Sequence, residues 1–217
     1  MIFDEKQECM PIEQRKGEQG ENLRRMVAHV YQNVPLCRER FQQAGIAPED
    51  IRSIDDLSKL PFTYKADLRD SYPYGMLAVP KRDVVRLHAS SGTTGKRTVV
   101  AYTRADVDIW AQVMARTIAG GGGTPDSVVQ VAYGYGLFTG GLGAHYGAEK
   151  LGAVTVPASV GNTRLQLQLW KDLGVTLICC TPSYALHLAE AMEEAGIVGN
   201  LQSNGFREVL APPPPED

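Results

Sequence analysis

The stretch from Val128 to Cys180, VVQVAYGYGLFTGGLGAHYGAEKLGAVTVPASVGNTRLQLQLWKDLGVTLICC, alternates short β-branched runs with longer amphipathic ones. Val128 to Ala132 reads as a strand, Thr139 to Leu151 as a small-residue-rich helix closed by Gly152, and Ala153 to Val156 as a second strand ending at Pro157. Asn162 or Thr163 can cap a helix carrying Leu165, Leu169, Trp170 and Leu173, which stops at Gly174 before a strand from Val175 to Cys180. Pro182 and Ser183 open a last helix that ends at Gly196. Strands and helices in this order imply βαβ units and a mostly parallel sheet covered by helices, an α/β fold.

Working outward, Val84 to Leu87 and Thr98 to Tyr102 read as strands on either side of a Gly/Ser/Thr loop. Thr103 with Asp106 resembles a capping box, and Val107, Trp110, Ala111, Met114 and Ile118 mark one face of a helix that the glycines at 120–123 end. Further upstream, Leu23, Met26, Val27, Val30 and Val34 recur at helical spacing until Pro35 interrupts them, and a second helical piece ends near Gly45. Four prolines between Ala47 and Pro80 suit short helices and turns. The expected organisation is a helical N-terminal segment (1–80), an α/β nucleotide- and acyl-binding subdomain (81–197) and an irregular Pro-rich tail (198–217).

The 217 residues are 43% hydrophobic and 22% charged, an ordinary globular composition. Lys and Arg number 22 against 25 Asp and Glu, and the basic residues are scattered, which argues against nucleic acid or an anionic membrane as partner. The first residues lack the apolar core of a signal peptide and no stretch approaches a membrane span, so a cytoplasmic location is the expectation. Cys9, Cys37, Cys179 and Cys180 show neither zinc-site nor disulfide spacing, and no metal site is expected; the adjacent pair reads as buried thiols in a strand.

Chemistry concentrates in Ser90-Ser91-Gly92-Thr93-Thr94-Gly95-Lys96: four hydroxyls, two glycines and an ammonium in seven positions between two strands. Glycines let backbone N–H groups turn toward an anion, hydroxyls add neutral donors and lysine adds charge, which describes a polyphosphate clamp for ATP. A polar hairpin turn is the alternative, but it does not require hydroxyls at the intervening positions. A Walker loop needs glycine where Ser90 stands and a hydroxyl where Arg97 stands, so a P-loop NTPase is disfavoured.

This heptapeptide resembles the phosphate loop of the adenylate-forming superfamily. Together with Leu60-Pro61-Phe62-Thr63-Tyr64-Lys65-Ala66-Asp67-Leu68-Arg69 and Tyr133-Gly134-Tyr135-Gly136-Leu137-Phe138-Thr139-Gly140-Gly141-Leu142-Gly143, it extends the resemblance to the phenylacetate-CoA ligase family across roughly Leu23 to Ile197. The resemblance implies a carboxylate attacking the α-phosphorus of ATP, then CoA displacing AMP to form a thioester, with Mg2+ accompanying the ATP. It places Ser90, Ser91, Gly92, Thr93, Thr94, Gly95 and Lys96 on the phosphates and makes Lys65 a candidate for the nucleotide, a solvated lysine being the other reading. The expected partners are a small aryl carboxylate, ATP and CoA, without nucleic acid or membrane and with a homodimer left open.

Tyr133, Tyr135, Phe138, Gly140 and Gly141 are the candidate acyl site, since flat rings beside bare backbone at a strand's carboxyl end can accept an aryl group. The same aromatics could be core, and Gly140, Gly143 and Gly147 could serve only to let a helix pack tightly. His145 could reach a ligand, but a lone histidine is more often structural; His29, His88 and His187 have no better claim. The superfamily's adenine-binding segment, ribose aspartate and C-terminal catalytic lysine have no counterpart in the sequence, so no catalytic residue is named. The expectation is an aryl-acid CoA ligase in truncated form, the alternatives being an inactive nucleotide- or acyl-binding module and a fragment without function.

Overall fold

A computed structural model describes residues 1–90 and 97–197, and the backbone of 207–210. The chain forms two compact units: Glu5–Arg104, and Met1–Asp4 together with Ala105–Asp217. The first unit begins with helices α1 (Glu5–Glu8), α2 (Ile12–Asn33) and α3 (Pro35–Gln43). Pro35 cannot continue α2 but suits the first turn of α3, so the chain bends at Val34, where φ is −115°. Val27, Phe41 and Ile51 form this unit's small core, with Tyr31 stacked on Phe41 at 6.1 Å.

Past two 3-10 turns comes α4 (Lys65–Asp70), then strands β1 (Val84–Ala89) and β2 (Val99–Thr103), which pair antiparallel with Leu87 opposite Ala101. The hairpin grouped by sequence with the α/β region therefore packs as part of the unit that carries the N-terminal helices.

The second unit is the α/β sandwich expected from the alternation. It comprises α5 (Arg104–Gly120), β3 (Val128–Val131), α6 (Gly140–Leu151), β4 (Val154–Val156), α7 (Thr163–Leu173), β5 (Leu177–Cys180), α8 (Pro182–Glu194) and β6 (Arg207–Leu210). The strand order is β4-β3-β5-β6, all parallel. One face of the sheet packs Val129, Val131, Leu177 and Cys179 against Ile118, Ala144 and Ala148; the other packs Ile178 and Cys180 against Leu167, Trp170 and Leu188. Each large apolar side chain buried here contributes about 1.5–3 kcal/mol.

Small residues bring the layers close. A Cβ on Gly143 would lie 2.8 Å from the Trp110 ring, and one on Gly147 2.4 Å from Met114, so both glycines serve close packing onto α5. One expectation needs correction: the tail beyond 198 was read as irregular, yet Arg207–Leu210 pair with β5 in parallel register. Its sequence, Arg-Glu-Val-Leu, opens on two charged residues and lacks the apolar run that marks β3 and β5.

Candidate functional site

In the first unit the Leu60–Arg69 motif is held by one ion pair. Arg40, on α3, donates from Nη1 and Nη2 to the Asp67 carboxylate at 2.7 and 2.6 Å, and from Nη1 to the Phe62 carbonyl at 2.7 Å. Asp67 Oδ2 also accepts the Tyr64 amide at 2.6 Å, closing the first turn of α4. The guanidinium, and next the Tyr64 amide, hold the Asp67 carboxyl below its ordinary value. This clamp orients the start of α4, whose first residue is Lys65; its side chain is exposed. Sequence reasoning had singled out Lys65 and passed over the Arg40–Asp67 pair that places it.

The candidate phosphate loop, residues 90–96, joins β1 to β2 in the same unit. Ser91, Gly92, Thr93, Thr94, Gly95 and Lys96 fall outside the described residues, and the loop's base does not. The Ser90 amide donates to the Thr98 carbonyl at 3.0 Å, and the Thr98 amide returns to Ser90 Oγ at 3.0 Å. Ser90 therefore closes the hairpin, and its hydroxyl accepts from backbone as well as being a potential donor to an anion.

In the second unit, the chain leaves β3 toward β4 on one side and, through α7, returns to β5 on the other. Ligands of parallel α/β sheets gather where connections diverge in this way beyond the strands' carboxyl ends. A cavity of about 370 Å³ opens there, lined by Ala132 and Tyr133 after β3, Val160 and Gly161 after β4, and Thr181, Ser183 and Tyr184 after β5. Tyr133 donates its hydroxyl to the Cys180 carbonyl at 2.6 Å, tying the residue after β3 to the end of β5.

The other members of the expected acyl site fall differently. Phe138 is 65% exposed and lies outside the cavity lining, its ring over Gly140. Gly141 faces the backbone of Tyr133 and Gly134, where a Cβ would meet the Gly134 oxygen at 2.6 Å. Tyr135 turns from the cavity toward α6: its hydroxyl is 3.3 Å from His145 Nδ1, whose Nε2 is 3.1 Å from Glu149. Burial, then the nearby Cys179 and Glu149, push the Tyr135 phenol up to about 12. The structure thus brings Tyr133, Phe138, Gly140 and Gly141 together, with Phe138 exposed outside the cavity lining, and turns Tyr135 toward α6.

Two residues at this site escaped the sequence reading. Gln130 and Gln166 are 0% and 1% exposed, and Gln130 Nε2 donates to Gln166 Oε1. Gln166 Nε2 donates in turn to the carbonyls of Ser159 at 2.9 Å and Gly161 at 3.4 Å, behind the cavity wall. The signal in the sequence was a single glutamine inside the run Val128–Val131, where a buried parallel strand is ordinarily apolar throughout.

Among the described residues no helix is long and apolar enough to cross a membrane, and no three His, Cys, Asp or Glu side chains are grouped to hold a metal ion. No family model matches the chain. It is 54% identical over 190 residues to the phenylacetate-coenzyme A ligase of Pseudomonas putida, covering 88% of this chain and 43% of that protein. Against the phenylacetate-coenzyme A ligase of Aromatoleum evansii the identity is 56% over 179 residues, 82% of this chain and 41% of that protein. A solved structure of 2-hydroxyisobutyryl-CoA ligase, in complex with 2-HIB-AMP and CoA in the thioesterification state, superposes with a TM-score of 0.83 at 30% identity. That match covers 91% of this chain and 43% of the other.

Proposed function

We propose, from a chain that belongs by sequence to the phenylacetate-coenzyme A ligases and spans about two-fifths of the length of those it matches, that it carries the acyl-binding wall and phosphate loop of an ATP-dependent aryl-acid CoA ligase. The observation that carries the reading is the cavity at the carboxyl ends of β3, β4 and β5, lined by Tyr133, whose hydroxyl is tied to the end of β5.

In this reading an arylacetate places its ring against Tyr133 in the cavity of the second unit. A carboxylate oxygen attacks the α-phosphorus of ATP and the bond to pyrophosphate breaks, leaving an acyl-adenylate. The CoA thiolate then attacks the acyl carbon and AMP departs. Ser91 to Lys96 stabilise the departing phosphates through backbone donors, hydroxyls and one ammonium, the kind of preorganised charge that lowers such a barrier. Magnesium would enter with the phosphates of ATP. The 2-HIB-AMP and CoA bound by the structural relative support adenylate and thioester chemistry at this fold.

Calorimetry with ATP and with phenylacetate tests the two halves separately. Lys96→Ala is expected to weaken ATP and leave phenylacetate unchanged, and Tyr133→Ala to do the reverse. Indifference of both ligands to both substitutions would remove the basis of this reading.

A further inference from the structure

The loop between β4 and α7 has an unusual backbone. Ser159, Gly161 and Asn162 all lie in the left-handed region, with φ of 62°, 79° and 50°, although only one of the three is glycine. Such conformations persist where their surroundings impose them, and they concentrate at functional sites. Here the Ser159 amide donates to the Val131 carbonyl at 3.0 Å, Asn162 Oδ1 accepts the Leu165 amide at 3.2 Å, and Gln166 draws in the Ser159 carbonyl.

The Gln130–Gln166 pair is a costly way to fill a core. Because Gln166 Nε2 is committed to two carbonyls, its Oε1 must face Gln130, which must then present its own Nε2. Gln130 Oε1 is left buried without a hydrogen-bond partner among the described residues. A buried acceptor in that state destabilises the fold, and two apolar side chains of like size would avoid it. The return lies in the loop. A trans peptide directs its N–H opposite its C=O. With the Ser159 carbonyl held inward, the Val160 N–H is turned to the other side, where Val160 and Gly161 line the cavity.

We infer that Gln166 is a positioning residue: it locks the Ser159–Val160 peptide so that the Val160 amide is presented to the cavity as a hydrogen-bond donor for a carboxylate oxygen of the bound acid. Gln130 keeps the Gln166 amide in the orientation this requires. The inference rests on the acyl-site reading above, and the test separates the two.

The experiment follows the backbone amide resonances of the full chain, first without ligand. Gln166→Met matches the volume and removes the donor; Gln166→Glu also cannot donate to the carbonyls while still accepting from Gln130. Both are expected to move the Ser159–Asn162 resonances, whereas Gln130→Met, which keeps the Gln166 donor and removes only the group that orients it, moves them less. Loop resonances at wild-type positions in either Gln166 variant would overturn the positioning role. In the second arm, phenylacetate is expected to shift the Val160 amide of the wild type while 2-phenylethanol, which lacks the carboxylate, does not. Gln166→Met is then expected to bind phenylacetate about tenfold more weakly, the loss of one well-placed hydrogen bond. Phenylacetate binding with the Val160 amide unmoved would overturn the donor role. Failure of the wild type to bind phenylacetate would sink the acyl-site reading, leaving the ligand-free arm to decide the positioning of the loop.

Discussion

Replacing Gly141 with alanine is the sharpest test of how the glycine-rich segment is built. The new methyl carbon would sit 2.6 Å from the Gly134 oxygen, 3.1 Å from the Gly134 carbonyl carbon and 3.3 Å from the Tyr133 oxygen. Carbon–oxygen contacts between packed backbones settle near 3.3 Å, so the Tyr133–Gly134 backbone must retreat by roughly 0.7 Å or α6 must tilt. All three obstructing atoms are backbone, and no rotamer change relieves them. Overpacking of this kind costs about 1–3 kcal/mol, while the helix-propensity gain of alanine over glycine returns at most about 1 kcal/mol. A net loss of about 1–2 kcal/mol follows. At roughly 4–8 °C per kcal/mol for a domain near 100 residues, the second unit should melt about 4–16 °C lower. Gly17→Ala is the control, since that glycine sits in exposed α2 with nothing within 4 Å of the added carbon, and it should stabilise by up to about 1 kcal/mol. Thermal unfolding by circular dichroism measures both. An unchanged or raised melting point for Gly141→Ala would refute the close-approach argument.

The Arg40–Asp67 clamp predicts a pH dependence in the first unit. Because the Asp67 carboxyl is held below its ordinary value, its stabilising contribution is complete above the unfolded carboxylate range of about 4 and is lost as pH falls through the lower folded value. Asp67→Asn should therefore destabilise at neutral pH and flatten the acid limb of urea midpoints measured from pH 7 to pH 2; a parallel acid limb would contradict it. The thiols should divide by burial. Cys9 is exposed, whereas Cys179 is buried and pushed up to about 12 by desolvation and its neighbour Cys180. Ellman's reagent under native conditions should label Cys9 rapidly and reach Cys179 and Cys180 only after denaturant is added; fast labelling of more than two thiols would show β5 to be accessible.

The elements most legible in the sequence are those that one physical rule determines. Pro35 had to break the N-terminal helix, Gly174 had to end α7, where its φ is 64°, and Asn162 does cap that helix. Val128 to Ala132 and Val175 to Cys180 read as strands because short β-branched and apolar runs dominate both, Gln130 being the polar exception. Pairing order was illegible, since nothing in β3, β4 or β5 says that β3 lies between the other two. At the site, Tyr133 was recognisable from its place just after a strand. Tyr135, two residues on, carried the same signal and faces α6 instead, because His145 and Glu149 offer its hydroxyl a polar path that only three-dimensional proximity reveals. Gln130, Gln166, Arg40 and Asp67 were missed for one reason: partners 36 and 27 residues apart leave no local pattern.

The first four residues have a consequence for how the chain assembles. Phe3 packs on the core of the second unit, the Met1 ammonium donates to the Ala119 carbonyl at 3.3 Å, and Gln112 donates to Asp4. These residues precede α5 in the chain and cannot dock until it has been made, a hundred residues later. Closing a flexible loop of that length costs about 4 kcal/mol of chain entropy, and early folding of Glu5–Arg104 into its own unit removes much of that freedom in advance. Residues 1–4 thus wait, tethered through a whole folded unit, for the helix they dock on.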